Sequence, residues 1–236
     1  MKISVLVVAH NEEEYIAKCI DSLLVQTLVP DEIIIVCHNC SDSTPEIVRS
    51  YGAKVKLVEY AGPEGIIPAR IRAFAEARNE MIACLDGDSS ACKNWLKRLV
   101  EPLKNSAISG VGGCIQLTGN LRARLTSIGF FFLDRFVNKQ YKFYFWGANF
   151  ACRKSDYLKL GGFEKIANLK KSLQLNYTAE DLIFSLSLEK LGKVVFAPTA
   201  LVWSPAAEIG SFGWEERRKK QNEDRKKVFE YFGLAK

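Results

Sequence analysis

Four short apolar runs, each separated from the next by a segment with helical spacing, fix most of what this 236-residue chain can become. Ile3–Ala9 is β-branched and apolar, Glu32–Val36 is similar, Lys54–Glu59 alternates, and Met81–Leu85 is again apolar. Short apolar runs bounded by polar residues suit strands buried on both faces of a parallel sheet. Between the first two, Asn11 followed by Glu14 predicts a helix N-cap with its capping-box partner. Ile16, Cys19, Ile20, Leu23 and Leu24 then recur at helical spacing. Thr44-Pro45-Glu46 opens the second helix, with proline suited to a first turn, and Gly52 closes it. Pro68 starts a third helix carrying Ile71, Phe74 and Ala75. Strand and helix alternating with short connections predict a doubly wound α/β sheet.

The last of these runs ends in Asp86-Gly87-Asp88. Ligands of open α/β sheets sit outside the carboxyl ends of the strands, so these carboxylates stand where a ligand would be. In an extended segment, residues two apart point to the same side. Two carboxylates on one side, with no Lys or Arg adjacent in sequence, repel each other unless a cation lies between them. Mg²⁺ and Mn²⁺ take oxygen ligands and bridge carboxylates to phosphates. Asp-Gly-Asp is also good turn chemistry, so these residues admit a metal reading and a turn reading alike.

Composition narrows the classes. A chain 48% hydrophobic and 25% charged is ordinary globular protein with ample length for one core. The net charge of +6 suits phosphate-bearing ligands or an anionic membrane surface and is not a nucleic-acid signature. Seven cysteines, an odd number scattered through apolar stretches, read as reduced core thiols. Cys37-x-x-Cys40 lacks a second ligand pair at metal spacing. No signal peptide precedes the first strand, and no apolar run reaches the ~18 residues of a membrane span. The expected location is therefore cytoplasmic.

The strand-one loop, Ala9-His10-Asn11-Glu12-Glu13, contains neither a dinucleotide-binding glycine fingerprint nor a P-loop. With Cys37–Thr44 and Asp86–Asp88 it makes three polar loops at neighbouring strand ends, which describes a cleft. Further on, Trp95–Leu103 reads as a helix and Gly110–Leu117 as a strand. Phe130–Trp146 holds nine of the 26 aromatics, interleaved with Arg135, Lys139 and Lys142. Phe150–Cys152, Val194–Ala197 and Ala200–Trp203 read as strands, Gly161-Gly162 as a tight turn, and Glu180–Leu191 as a helix. Trp214–Phe232 reads as a basic helix with an aromatic end.

These motifs carry a resemblance. Ser4–Glu13, Glu32–Thr44, Ala69-Arg70, Asp86-Gly87-Asp88, Trp95-Leu96, Gly147-Ala148-Asn149, Gly161-Gly162-Phe163 and Glu180-Asp181-Leu182 follow the order and spacing of the family 2 glycosyltransferases of the GT-A fold. The resemblance covers roughly residues 1–205. It implies a mixed, mainly parallel sheet in a single catalytic domain, with residues 1–117 as the nucleotide-sugar half and 118–205 as the acceptor half. Residues 206–236 would be a basic, aromatic helical tail.

It further implies a nucleotide-sugar donor held by Ala9, Asn11, Glu12, His38, Asn39, Asp42, Arg70, Asp86 and Gly87. Asp86 and Asp88 would engage a divalent cation, Mn²⁺ or Mg²⁺, on the diphosphate. Asp181 would be the general base of an inverting single displacement. Trp146, Gly147, Asn149 and Glu180 would face the acceptor. Without the resemblance, Glu180-Asp181 reads equally as N-terminal helix charge complementing the dipole.

The chain also departs from the family pattern. Cys37 and His38 stand where two acidic residues are common, and Ile71 and Ala73 where Asn and Gly follow the arginine. Val202-Trp203-Ser204 lacks the late histidine that serves as a further metal ligand. A Gln-x-x-Arg-Trp motif is missing, which argues for single additions.

The acceptor is expected to be a glycan or a lipid-linked molecule. Aromatics are usually core, yet the basic residues among Phe130–Trp146 and in the tail suit peripheral contact with the cytoplasmic face of a membrane. Two rivals are a sugar nucleotidyltransferase, which would want a glycine-rich basic loop after strand one, and a catalytically degenerate binding module of the same fold.

Overall fold

The computed structural model describes residues 2–118, 147, 149–175, 179–205 and 214–234. The aromatic stretch Phe130–Trp146, including Trp146 itself, lies outside the described residues. Eight strands form one sheet: β1 (Ile3–Ala9), β2 (Glu32–His38), β3 (Lys56–Tyr60), β4 (Met81–Asp86), β5 (Ser90–Ala91), β6 (Ile108–Thr118), β7 (Asn149–Arg153) and β8 (Lys193–Pro205). Their order is β3-β2-β1-β4-β7-β6-β8-β5. The first four strands in that order are parallel. β7 runs antiparallel between β4 and β6, β8 is parallel to β6, and β5 pairs antiparallel with β8. The sheet is thus mixed and mainly parallel, as expected.

Alternation along β1 divides the core. Ile3, Val5, Val7 and Ala9 face one layer, formed with α1 (Ile16–Leu24), α2 (Thr44–Ser50) and α4 (Trp95–Val100). Leu6 faces the other. That second layer contains α3 (Ile66–Glu76), α5 (Lys154–Lys159), α6 (Gly162–Ser172) and α7 (Glu180–Glu189). The final helix, α8 (Trp214–Tyr231), joins it through fully buried Val228, with Phe229 and Phe232 alongside. Helices on both faces allow the central strands to be apolar throughout.

Several sequence expectations are corrected. Asn11 does not cap α1, which begins at Ile16. Asn11 instead adopts φ 55°, a left-handed conformation that asparagine tolerates, and the chain turns at Glu12–Tyr15 before the helix starts. α2 ends at Ser50, and Gly52 opens a short 3₁₀ turn at φ 59°. α3 begins at Ile66, so Pro68 sits within its first turn, where its missing N–H costs nothing. α4 stops at Val100 and a 3₁₀ turn, Glu101–Lys104, carries Pro102. The two late strands are one, β8. Its register against β6 breaks between Gly113 and Cys114, which face Ala197 and Leu201. Pro198 lies in the looped-out residues, where a strand lacking an N–H is tolerated. Edge strand β5 and helix α5 are too short to carry a readable period, and α6 is an unanticipated helix that follows directly on the expected Gly161-Gly162 turn, at φ 83° and 65°.

Candidate active site

The carboxyl ends of β1, β2 and β4 converge because these strands are parallel neighbours. Val8 pairs with Asp86, and the Gly87 amide donates to the Val8 carbonyl at 2.9 Å. A Cβ at Gly87 would lie 2.8 Å from Ala9 Cβ, so only glycine lets the two loops meet. Asp86 and Asp88 stand there together, both partly exposed. Ser89 and Ser204 hydroxyls donate to Asp88 Oδ1 and Oδ2 at 2.8 and 3.2 Å. Ser204, at the end of β8, thus reaches the site from the position where the family histidine is missing. A serine there carried no signal that sequence reasoning could use.

Glu12 approaches from the β1 loop. Burial, then the charges of Asp88, Asp86 and Asp42, push its carboxyl up to about 7. Burial likewise raises Asp86 to about 6. Arg70 opposes that shift, while Asp88, Asp181 and Glu180 add to it. In both, burial is the larger cause, and the neighbouring carboxylate charges add to it.

A divalent cation fits this donor set. Asp86 and Asp88 are partly exposed, hard oxygen ligands whose mutual repulsion a cation would relieve. Among the described residues no three His, Cys, Asp or Glu side chains enclose an ion. The arrangement matches a cation that takes one or two carboxylates and completes its shell with water and phosphate oxygens.

Several residues expected at the donor instead lock the loops together. Asn11 Oδ1 accepts from the Ser41 amide at 2.8 Å. Thr44 Oγ1 accepts from the Glu12 amide at 2.8 Å, and Asp42 Oδ2 from the Glu13 amide at 3.0 Å. The slight burial of Asp42 is outweighed by bonds from Thr44 and Glu13, which hold its carboxyl below the ordinary range. Asn39 exchanges two hydrogen bonds with the backbone of Gly62, tying the β2 loop to the β3 loop. His38 is 5% exposed, stacks on Tyr60 and directs both ring nitrogens at the Tyr60 and Pro63 carbonyls. Its side chain is committed to the scaffold beneath the cleft.

On the acceptor side Gly147 is buried, and its amide donates to Asp181 Oδ2 at 2.8 Å, orienting that carboxylate. Asp181 lies in the first turn of α7 and is partly exposed. Glu180, beside it, is 3% exposed, with its oxygens 4.0 Å from Arg70 Nη1 and 3.6 Å from Lys170 Nζ.

Asn149 is fully buried rather than turned to an acceptor. Its amide donates to the Cys114 and Ala200 carbonyls at 2.9 and 3.0 Å, and its oxygen accepts from Trp95 Nε1 at 2.9 Å. Both carbonyls lie at the break in register between β6 and β8, where the asparagine bridges the two strands.

Comparison with known proteins identifies the family. The model of "Glycosyl transferase family 2" matches residues 4–161. A probable glycosyltransferase of Bacillus subtilis, YdaM, is 29% identical over 242 residues, covering 92% of this chain and 53% of that protein. A glucosyl-dolichyl phosphate glucuronosyltransferase of Haloferax volcanii is 27% identical over 120 residues, covering 49% of this chain and 38% of that protein. The chain therefore spans about half the length, or less, of these curated relatives.

Among solved structures, the mannosyltransferase PcManGT of Pyrobaculum calidifontis, in complex with GDP-Man and Mn²⁺, is similar at TM-score 0.69 and 17% identity, with 98% of this chain and 63% of that one covered. Glucosyl-3-phosphoglycerate synthase of Mycobacterium tuberculosis, in complex with Mn²⁺, UDP-Glc and phosphoglyceric acid, is similar at TM-score 0.64 and 15% identity, with 100% and 81% covered. These likenesses establish a GT-A fold. With the family model matching well over half of its length, the chain belongs to glycosyl transferase family 2.

Proposed function

We propose that this chain moves a sugar from a nucleotide-sugar donor to an acceptor hydroxyl by a single displacement with inversion. The observation that carries the reading is the convergence of Glu12, Asp86 and Asp88 at adjoining strand ends, with Asp181 close enough to act on Asp86 electrostatically. Asp86 and Asp88 would hold the divalent cation, which neutralises charge building on the departing diphosphate. The interlocked loops after β1, β2 and β3 would form the rigid floor beneath the nucleoside.

Asp181, oriented by the Gly147 amide, takes the proton from the acceptor hydroxyl. The acceptor oxygen bonds to the anomeric carbon. The bond from that carbon to the diphosphate oxygen breaks, and the nucleoside diphosphate leaves with the electron pair. One base suffices, and no enzyme nucleophile is required.

GDP-Man and UDP-Glc, each bound with Mn²⁺ in a solved structure of similar fold, support a donor of this class. The acceptor is a glycan or a lipid-linked molecule. Exposed Lys219, Lys220, Arg225 and Lys226 on α8 favour approach to an anionic surface.

The deciding experiment pairs a donor panel with one variant. UDP-, GDP-, dTDP- and CMP-sugars are screened by thermal shift with Mn²⁺, Mg²⁺ or EDTA. Asp181→Asn should then retain binding of the donor that shifts wild type, while turnover falls about 10²–10⁴-fold. Unchanged turnover would refute Asp181 as base, and a flat panel would favour a degenerate binding module.

A further inference from the structure

Arg70 leaves α3 and ends inside the protein, 6% exposed, where its guanidinium carbon lies 5.7 Å from the Phe163 ring centroid. Nη2 is 3.9 Å from Asp86 Oδ1, and Nη1 is 4.0 Å from Glu180 Oε1. Both contacts are longer than direct hydrogen bonds. Arg70 Nη1 and Glu180 Oε2 are buried polar atoms without a hydrogen-bond partner. Buried polar atoms are nearly always satisfied, so an orphan on each of these two facing residues calls for an explanation; the Glu180 orphan, Oε2, is the oxygen 3.6 Å from Lys170 Nζ. Stability alone does not provide one, because a well-packed hydrophobic pair generally serves as well as a buried ion pair.

Gly147 supplies an independent observation. A Cβ there would lie 2.0 Å from Arg70 Nη2 and 2.7 Å from its Cζ. The need for glycine here is spatial: the backbone passes directly over the guanidinium. The same residue gives its amide to Asp181. Arg70 therefore touches both halves of the proposed chemistry through different neighbours. It faces Asp86 on the cation side, and Glu180 and Gly147 flank Asp181 on the other.

We propose that Arg70 is a positioning residue, held against Asp86, Glu180 and the Gly147 backbone, that sets the cation-side carboxylate and the base in register. It does not lie open at the cleft as a phosphate ligand. Gly147 is the spacer that admits it. This rests on the reading of Asp86 and Asp181 given above.

Two variants test it without leaving either Arg70 or Glu180 as a lone buried charge. Arg70→Met with Glu180→Gln removes both charges at similar volume, and Gly147→Ala displaces the guanidinium while keeping it. Binding of Mn²⁺ alone and of UDP or GDP with Mn²⁺ is measured by calorimetry, and folding by thermal melts. Release of nucleoside diphosphate from the matching nucleotide sugar gives kcat and KM.

The expected result for the double variant is a retained melt with Mn²⁺ affinity lowered about 10–100-fold, the usual cost of losing a partner that orients a metal ligand. For Gly147→Ala, kcat should fall about 100-fold, the scale of a misplacement of about 1 Å, with donor KM nearly unchanged. Wild-type Mn²⁺ affinity and wild-type kcat in folded variants would overturn the positioning role alone. If the double variant does not fold, Gly147→Ala decides. A wild type that binds neither Mn²⁺ nor nucleotide would overturn the reading of the site, and this proposal with it.

Discussion

The crowded carboxylates predict an unusual pH response. Glu12 is raised from 4.5 to about 7 and Asp86 from 3.8 to about 6. A carboxyl that holds its proton more tightly folded than unfolded favours the fold when protonated. That contribution is present in full below the unfolded value and is lost as pH rises through the folded one. The window therefore opens near pH 4 and closes just above pH 7.

Integrating between pH 5.5 and pH 8 gives roughly 2 kcal/mol for Glu12 and somewhat under 1 kcal/mol for Asp86. Both side chains are partly exposed and share one mutual repulsion, so solvent screening and double counting reduce the sum to about 1–2 kcal/mol. For a chain of this size that is a fall of roughly 2–8 °C in Tm.

The assay is a set of melts from pH 5.5 to 8 in EDTA, for wild type and Glu12→Gln, with a parallel series in saturating Mn²⁺. Wild type should lose stability toward pH 8 relative to Glu12→Gln, and Mn²⁺ should remove most of the difference. Parallel curves for wild type and variant in EDTA would refute the electrostatic account of the site.

Asn149→Ala removes the partner of buried Trp95 Nε1, of the Ala200 carbonyl and of the part-buried Cys114 carbonyl, so chemical unfolding should show a loss of about 3 kcal/mol or more. Asn39→Ala removes the paired bonds to Gly62 and should cost about 1–2 kcal/mol, with faster amide exchange in the loops after β2 and β3. Asp88→Asn should abolish the Mn²⁺-dependent part of nucleotide binding while raising the Tm of the metal-free protein, since it removes a repelling charge. Vesicle flotation should show retention on anionic vesicles that high salt removes, if the exposed lysines of α8 meet a membrane surface.

Much of the architecture was legible because burial writes a pattern. Strands covered on both faces must be apolar, and helices covered on one face must repeat near 3.6 residues. β1, β2 and β4 and the helices after β1 and β2 could therefore be read from the residues with only their ends displaced. Asp86-Gly87-Asp88 was legible for a related reason, since carboxylates that end a buried strand stand where ligands bind. β5 and α5 were not recognised, being only two and six residues long, and α6 was missed although it is as long as α3. The break in β8 looked like two strands because Pro198 is a local breaker, and only pairing with β6 shows the continuity.

What a polar side chain bonds to is set across the fold rather than along the chain. Asn149 and His38 have the composition of cleft residues, yet their partners come from elements tens of residues away, and tertiary packing turned both inward. Arg70 and Glu180 sit 110 positions apart in sequence, and nothing local announces that they meet. The sequence by itself determined the layered sheet, the acidic strand ends and the helix bearing Asp181. Tertiary structure decided which of those polar groups face the cleft and which hold it together, because a buried donor or acceptor must find its partner wherever the fold brings one near.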